Sequence, residues 1–367
     1  MSRGSGRALA EPPPRNTILV GDARERLAEL PSGFIDCVIT SPPYFQLRDY
    51  GVTGQIGLEP HVEAWVAELV AVCRQIARVL KPSGSLWLNL GDSYSRHMRY
   101  GAPPKSCLLG PERLLLALSA EGWIVRNKVI WAKANPMPTS VGDRLSATYD
   151  FVYFLVRDRR YYFDLDTIRE PHRSAVTVPR KKLWVRQERP EWAGPLAGSN
   201  DGLERIKASG LPGHPLGKNP GDVWRLTTVG YRGAHFATFP ESLVERPLLA
   251  TCPEALCVAC GRAWRRQVSV KRVGEAGRGP RRADDPCVRR YPKRWETERQ
   301  LGLLVPGCLC EAGVRPGLAL DPFFGTGTVG VVAKRHGRDW LGIELNHKYV
   351  VMAEERIRGS AKRLKAA

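Results

Sequence analysis

The sequence predicts an α/β fold built on a mainly parallel sheet. Short apolar runs alternate with segments of helical periodicity over residues 16–163, and the alternation returns over residues 318–364. A glycine-rich turn at 325–330 joins an apolar run to a helical segment, and the next apolar run ends in the acid Glu344. That is the expected layout of a parallel strand–turn–helix–strand unit.

The elements follow in order. Thr17-Ile18-Leu19-Val20 reads as the first strand. Residues 23–30 can form a helix with Asp22 placed as its N-cap, and Pro31-Ser32-Gly33 ends it. Residues 35–40 form a second apolar run, which stops at Ser41-Pro42-Pro43-Tyr44. Over residues 61–80, Trp65, Leu69, Val72, Ile76 and Leu80 recur at helical spacing. Lys81-Pro82-Ser83-Gly84 is expected to end that helix before a strand at 85–90. A helix at 111–121 leads to a strand at 124–131, and residues 147–157 and 160–163 read as a closing pair of strands. Residues 169–220 lose this periodicity and are rich in Pro, Gly, Arg and Lys, as in a loop or a binding insertion. Order resumes at Asp222-Val223-Trp224, with a helix expected at 242–250. A cysteine-bounded basic segment runs over 252–310, with a loop expected between its two close cysteine pairs; after it come a strand, glycine loop and helix over 318–336, a strand at 340–344 and a basic helix from His347.

Composition narrows the function. The 367 residues carry 56 Lys and Arg against 37 Asp and Glu, a formal charge of +19. So large an excess repels itself in a compact state, so a polyanionic partner is expected, nucleic acid first. With 43% hydrophobic residues the chain is globular. No apolar run of about 18 residues is present, so no membrane span is expected. Residues 1–15 read as a disordered arm without the apolar stretch of a signal peptide. The nine cysteines lack a small secreted scaffold to staple, which fits a reducing cytoplasm and, for a DNA-bound protein, the nucleoid.

Two motifs carry chemistry. In Asp321-Pro322-Phe323-Phe324-Gly325-Thr326-Gly327-Thr328-Val329-Gly330 the glycines let backbone approach a ligand closely, and Glu344 stands where ribose hydroxyls would lie. The acid Asp321 would repel a pyrophosphate but suits a ligand with a positive amino group, such as S-adenosylmethionine; a plain capping role for it is the alternative. In Thr40-Ser41-Pro42-Pro43-Tyr44, two prolines fix the backbone and present carbonyl acceptors, Ser41 adds a hydroxyl and Tyr44 a planar face. Together they suit a flat heterocycle bearing an amino group.

The pair resembles the amino-methyltransferases of restriction–modification systems, and its order, catalytic motif before cofactor motif, is similar to their permuted β group. Gly21-Asp22 resembles the family's adenine-contacting acidic position, and Arg78-Val79-Leu80-Lys81-Pro82-Ser83-Gly84 its helix-to-strand corner. Asn219-Pro220-Gly221-Asp222-Val223-Trp224 and His235-Phe236-Ala237-Thr238-Phe239-Pro240 resemble the segment lining the methionine side of the cofactor. The resemblance implies a Rossmann-like fold with helices on both faces. It implies S-adenosylmethionine held by Asp22, Asp321, Pro322, Phe323, Gly325, Thr326, Gly327, Thr328 and Glu344. It further implies double-stranded DNA with the target base flipped out, and a cognate restriction endonuclease as a further partner. The arrangement it implies divides the chain into an arm (1–15), a catalytic half (16–168), a candidate target-recognition insertion (169–220), a cofactor-side segment (221–251), a basic cysteine-rich insertion (252–311) and a cofactor-binding half (312–367).

An exocyclic amine is a poor nucleophile because its lone pair is delocalised into the ring. The Ser41 hydroxyl and the Pro42 carbonyl, within the Ser41-Pro42-Pro43-Tyr44 catalytic turn, are the expected acceptors of its N–H groups, with Tyr44 stacked on the base. Methylation at cytosine C5 would need a cysteine beside a proline here, and none is present. By the resemblance, serine at the first motif position goes with cytosine N4, and adenine N6 is the alternative.

Cys257-Val258-Ala259-Cys260-Gly261 and Cys308-Leu309-Cys310 are two close thiol pairs similar to a zinc ribbon, with Cys252 and Cys287 as substitutes. Arginines, lysines and aromatics between the pairs suit a phosphate backbone. Two rival functions explain less. A nicotinamide-dependent oxidoreductase accounts only for the glycines, and a non-catalytic zinc-containing DNA binder only for the charge and the cysteines.

Overall fold

The computed structural model describes residues 13–170, 214, 216–228, 239–276 and 294–364. Two compact units result: Met1–Asp164 with Gly221–Arg265 and Pro306–Ala367, and Leu165–Pro220 with Arg266–Val305.

The first unit holds strands β1 (Thr17–Val20), β2 (Ile35–Thr40), β3 (Leu80–Leu90), β4 (Ile124–Lys133), β5 (Tyr149–Val156), β6 (Val223–Leu226), β11 (Leu318–Asp321) and β12 (Asp339–Glu344). They form one sheet of order β1-β12-β11-β2-β3-β5-β4-β6. Pairing is parallel from β1 through to β3, antiparallel where β5 joins β3 and β4, and parallel again between β4 and β6. The helices are α1 (Ala23–Glu29), α2 (Val62–Val79), α3 (Gly110–Ala120), α4 (Glu241–Thr251), α5 (Thr328–Arg335) and α6 (His347–Leu364).

Both faces of the sheet are covered, and the side-chain alternation of a strand shows how. Val38, Leu86, Leu88, Leu320 and Leu341 join Leu27, Trp65, Leu69, Ile76 and Leu114 of α1, α2 and α3. Their sequence neighbours Cys37, Ile39, Trp87, Ala319 and Trp340 point the other way, against Leu243, Val244, Val329, Val332 and Ile357 of α4, α5 and α6. Asp22 caps α1 as its position suggested, accepting from the Arg24 amide.

Three expectations are corrected. Residues 81–84 do not separate a helix from a strand: β3 starts at Leu80, pairing with Ile35, and the register shifts before Cys37 meets Ser85. Residues 160–163 form no strand. Their aromatic spacing serves packing instead: the Tyr161 and Phe163 rings lie 5.7 and 5.8 Å from that of Phe154 on β5. The basic segment is not simply a loop, since it holds β7 (Ala255–Cys257), β8 (Ala263–Ala276) and β9 (Arg294–Val305), which with β10 (Val314–Arg315) form a sheet of order β10-β7-β8-β9. In β8, Arg265, Gln267, Ser269 and Lys271 alternate with Val268 and Val270, a period-2 pattern that the dense charge obscures. Most of the 169–220 insertion, the N-terminal arm to residue 12, and residues His235 to Thr238 of the cofactor-side segment lie outside the described residues.

Candidate active site

Strands β2 and β11 are parallel neighbours, with Cys37 opposite Ala319 and Val38 opposite Leu320. The two motifs that follow them therefore leave the sheet side by side at its carboxyl edge, where open α/β sheets bind ligands. One hydrogen bond joins them: Thr40 Oγ1 donates to Asp321 Oδ1 at 2.6 Å.

Asp321 is fully buried. Its Oδ1 also accepts from the Phe323 amide at 3.0 Å, while Oδ2 is buried with no hydrogen-bond partner. Burial pushes the carboxyl up to about 7, against the opposing pull of Thr40 and the Phe323 amide. A buried carboxylate oxygen left unpartnered is costly, and a cationic donor is the group that would relieve it. Gly325 and Gly327 adopt φ of 51° and 77°, the left-handed region that suits glycine. A Cβ at 327 would stand 2.9 Å from that of Ala353 in α6.

Glu344 ends β12, the strand on the other side of β11. Its Oε2 accepts from the Gly325 amide at 2.7 Å and its Oε1 from the Asn346 amide at 2.8 Å, so the carboxylate is aimed by backbone on both sides. Burial raises its pKa. Asp22 is placed beside it by the β1–β12 register, with Val20 opposite Glu344. Arg24 engages both oxygens of Asp22 and holds its pKa below the usual carboxylate value. Thr326 and Thr328 turn their hydroxyls to Arg356 of α6, at 3.2 and 2.9 Å. Pro322 is buried, and Phe323 is half-buried against the core of the first helical layer.

The Ser41-Pro42-Pro43-Tyr44 turn rests on a polar relay from three strands. Asn89, in β3, donates from Nδ2 to Ser41 Oγ at 3.1 Å and to the Tyr44 hydroxyl at 3.0 Å. The Tyr44 hydroxyl donates to Asp150 Oδ2 in β5 at 3.3 Å. Lys133, in β4, reaches both oxygens of Asp150 at 2.9 Å. Burial and the neighbouring Asp150 carboxylate push the Tyr44 phenol well up, so it stays a donor. Asn89 Oδ1 is buried with no partner. Trp65 Nε1 donates to the Pro43 carbonyl at 3.0 Å. At Gly91 a Cβ would stand 2.6 Å from Asp150 Oδ1 and 2.7 Å from Tyr44 Cε2, so the relay passes where no side chain fits. A small apolar pocket beside Thr40 and Asn89 is closed by Phe239, Leu243, Val244 and Pro247.

Residues 35–259 and 314–355 match the N6/N4 family of DNA methylases. The chain belongs to that family. It is similar to the type II methyltransferase M.SmaI of Serratia marcescens, 32% identical over 93% of this chain and 90% of the relative. It is also similar to M.XycI of Xanthomonas campestris pv. cyanopsidis, 31% identical over 94% of this chain and 88% of the relative. The solved PvuII DNA methyltransferase (cytosine-N4-specific) shares the fold at a TM-score of 0.51 and 17% identity, over 94% of this chain and 91% of that one. The protein is thus a type II DNA amino-methyltransferase of the restriction–modification kind, with S-adenosylmethionine as the methyl donor of its family.

The site also holds residues to which the sequence alone assigns no role. Asn89, Asp150 and Lys133 build the relay under Tyr44, Thr40 links the two motifs, and Arg356 fixes the glycine loop. The polar run Asn89-Leu90-Gly91-Asp92 at the end of a buried strand was the available signal. Cys257, Cys260, Cys308 and Cys310, expected as metal ligands, come together within the first unit. Among the described residues no helix is long and apolar enough to cross a membrane.

Proposed function

We propose that this methyltransferase modifies the exocyclic N4 amine of cytosine within a specific sequence of double-stranded DNA, with the target base turned out of the duplex. The observation that carries the reading is the 2.6 Å bond between Thr40 and Asp321, which fastens the amine-handling turn to a buried carboxylate whose second oxygen lacks a partner. When bound, S-adenosylmethionine supplies a methyl group on a positively charged sulfur. Asp321 Oδ2 would accept from the cofactor's ammonium and Glu344 from its ribose hydroxyls, with Pro322, Phe323, Gly325, Thr326, Gly327 and Thr328 helping to hold it. Asp22, already held by Arg24, shapes the adenine end through its cap of α1 rather than with a free carboxylate.

Ser41 Oγ, oriented by Asn89, and the Pro42 carbonyl accept from the target N–H groups, which frees the nitrogen lone pair to point at the methyl. Asn89 Oδ1 is a third acceptor within the same layer. The Tyr44 ring stacks on the extruded base while its hydroxyl is tied to Asp150. Catalysis is then mainly positioning, and no covalent intermediate with the protein is needed. The base must leave the helix because its amine is paired inside it. Serine at position 41 is the ground for cytosine over adenine. The enzyme acts on cytoplasmic DNA, alongside a restriction endonuclease of the same specificity.

Mass spectrometry of nucleosides from DNA exposed to the enzyme tests the reading. N4-methylcytosine is the expected product. N6-methyladenine would overturn the choice of base, and unmodified DNA would overturn the transfer itself.

A further inference from the structure

Four cysteines of the first unit form a cluster that methyl transfer does not use. Cys257 ends β7, Cys260 lies in the turn before β8, and Cys308 and Cys310 follow β9. Their Sγ atoms all lie within 4.8 Å of one another, and all four are free thiols. A tetrahedral zinc–tetrathiolate with Zn–S of about 2.3 Å sets its sulfurs about 3.8 Å apart. The cluster has the size of that shell. A disulfide would need only two sulfurs in contact and would not gather a second pair around the same point.

The backbone builds both halves. The Gly261 amide donates to the Cys257 carbonyl and the Cys257 amide to the Arg262 carbonyl, each at 2.9 Å, and Gly261 takes φ +70° to close the turn. A Cβ at Gly307, immediately before Cys308, would collide with the Ala263 carbonyl oxygen. The second half therefore passes the first at a distance that only glycine permits. Antiparallel pairing of Cys257 with Val314 holds the chain again just beyond Cys310. The tight Cys308-Leu309-Cys310 spacing also resolves. Leu309 is 100% exposed while both flanking sulfurs join the cluster, so the bend after β9 turns the two thiols inward and the leucine out.

We propose that Cys257, Cys260, Cys308 and Cys310 bind one structural Zn²⁺ per chain, which fastens together the two ends of the excursion formed by residues 261–307. Four thiolates leave no open coordination position, so the ion is structural rather than catalytic. Binding replaces four thiol protons with the metal and releases them to solvent. The excursion carries β8 and β9, with Arg265, Arg266, Lys271 and Arg272 on β8. Closure at its root restricts the unfolded chain and couples metal binding to the folding of this segment.

The test uses the full-length protein purified without chelator. Elemental analysis is expected to give about one zinc per chain, and cobalt exchange to give the intense visible absorption of a tetrathiolate site. Cys257→Ser and Cys308→Ser are expected to lose the metal, keep S-adenosylmethionine affinity within about twofold, and cut faster under limited proteolysis between residues 261 and 307. Cys107→Ser, at an exposed cysteine outside the cluster, is expected to keep the full metal content. Wild-type protein with zinc well below one per chain, and four cluster thiols open to a thiol reagent, would overturn the proposal. Retention of zinc in both serine variants would overturn the ligand set. Should those variants fail to fold, the wild-type metal content and cobalt spectrum still decide.

Discussion

The two loops that leave neighbouring strands β2 and β11 handle charge in opposite ways. After β11 the site is built from buried carboxylates aimed by backbone amides: Asp321 with a free oxygen, and Glu344 held by Gly325 and Asn346. After β2 it is built from neutral groups, Ser41, Asn89 and Tyr44, and its one charged pair, Asp150 with Lys133, stands behind the tyrosine. The difference fits the ligands proposed for each. A cationic cofactor rewards a stored negative charge, whereas a neutral amine that must keep its lone pair available rewards aligned acceptors without net charge. Substitutions in the first loop should then act on affinity, and substitutions in the second on turnover.

Tyr44→Ala should have the largest effect. It removes a stacking face of about 1–3 kcal/mol and a hydrogen-bonded hydroxyl of about 1 kcal/mol, so single-turnover methylation is expected to fall by about thirtyfold to a thousandfold. Cofactor affinity by calorimetry is expected to stay within about twofold, and a loss there of similar size would break the division between the loops. Asp321→Ala is expected to do the reverse, weakening S-adenosylmethionine binding by about tenfold to a hundredfold through loss of a charge-assisted hydrogen bond of about 1.5–3 kcal/mol. Unchanged affinity would remove Asp321 from the cofactor site. Ser41→Ala should lower turnover by about tenfold or more with affinity preserved, since it takes away one acceptor among several.

The smallest effect is a pH dependence. The folded pKa of Asp321 is raised to about 7 by burial. Its protonated form therefore stabilises the ligand-free protein at low pH, and that contribution is lost as pH rises through about 7. Binding an ammonium needs the carboxylate. Affinity is expected to rise about fivefold from pH 6 to pH 7, an interval over which an α-amino group remains largely protonated. Calorimetry in buffers of different ionisation heat should also show a proton released on binding at pH 6. A flat affinity profile would place the raised carboxyl away from the ligand.

The sequence made one loop more legible than the other. Asp321, the glycines and Glu344 lie within one strand–turn–helix–strand unit, so local spacing locates them together. The relay beneath Tyr44 does not work that way. Asn89, Asp150 and Lys133 meet it through the antiparallel registers of β3, β5 and β4, in which Asn89 faces Val152 and Trp131 faces Asp150. No spacing rule encodes those registers. Asp22 illustrates a different limit: a carboxylate between a strand and a helix suits both a cap and a ligand contact, and only the Arg24 side chain reveals the engaged cap. Residues 160–163 resemble a strand in sequence because aromatics that cover a sheet have the same composition as aromatics within one.

The strand order β1-β12-β11-β2 has a consequence for how the chain emerges from the ribosome. Strand β1 is translated long before β12, its neighbour among the described strands, which begins at Asp339. Until residues 318–344 have been made, one edge of β2 and both edges of β1 stand open, and unpaired edges invite pairing with other chains. The same delay keeps Asp321 and Glu344 out of the nascent protein. A ribosome-bound fragment can thus expose its Ser41-Pro42-Pro43-Tyr44 turn while lacking the carboxylates proposed to hold the methyl donor, and methylation awaits the translation of Asp321 and Glu344.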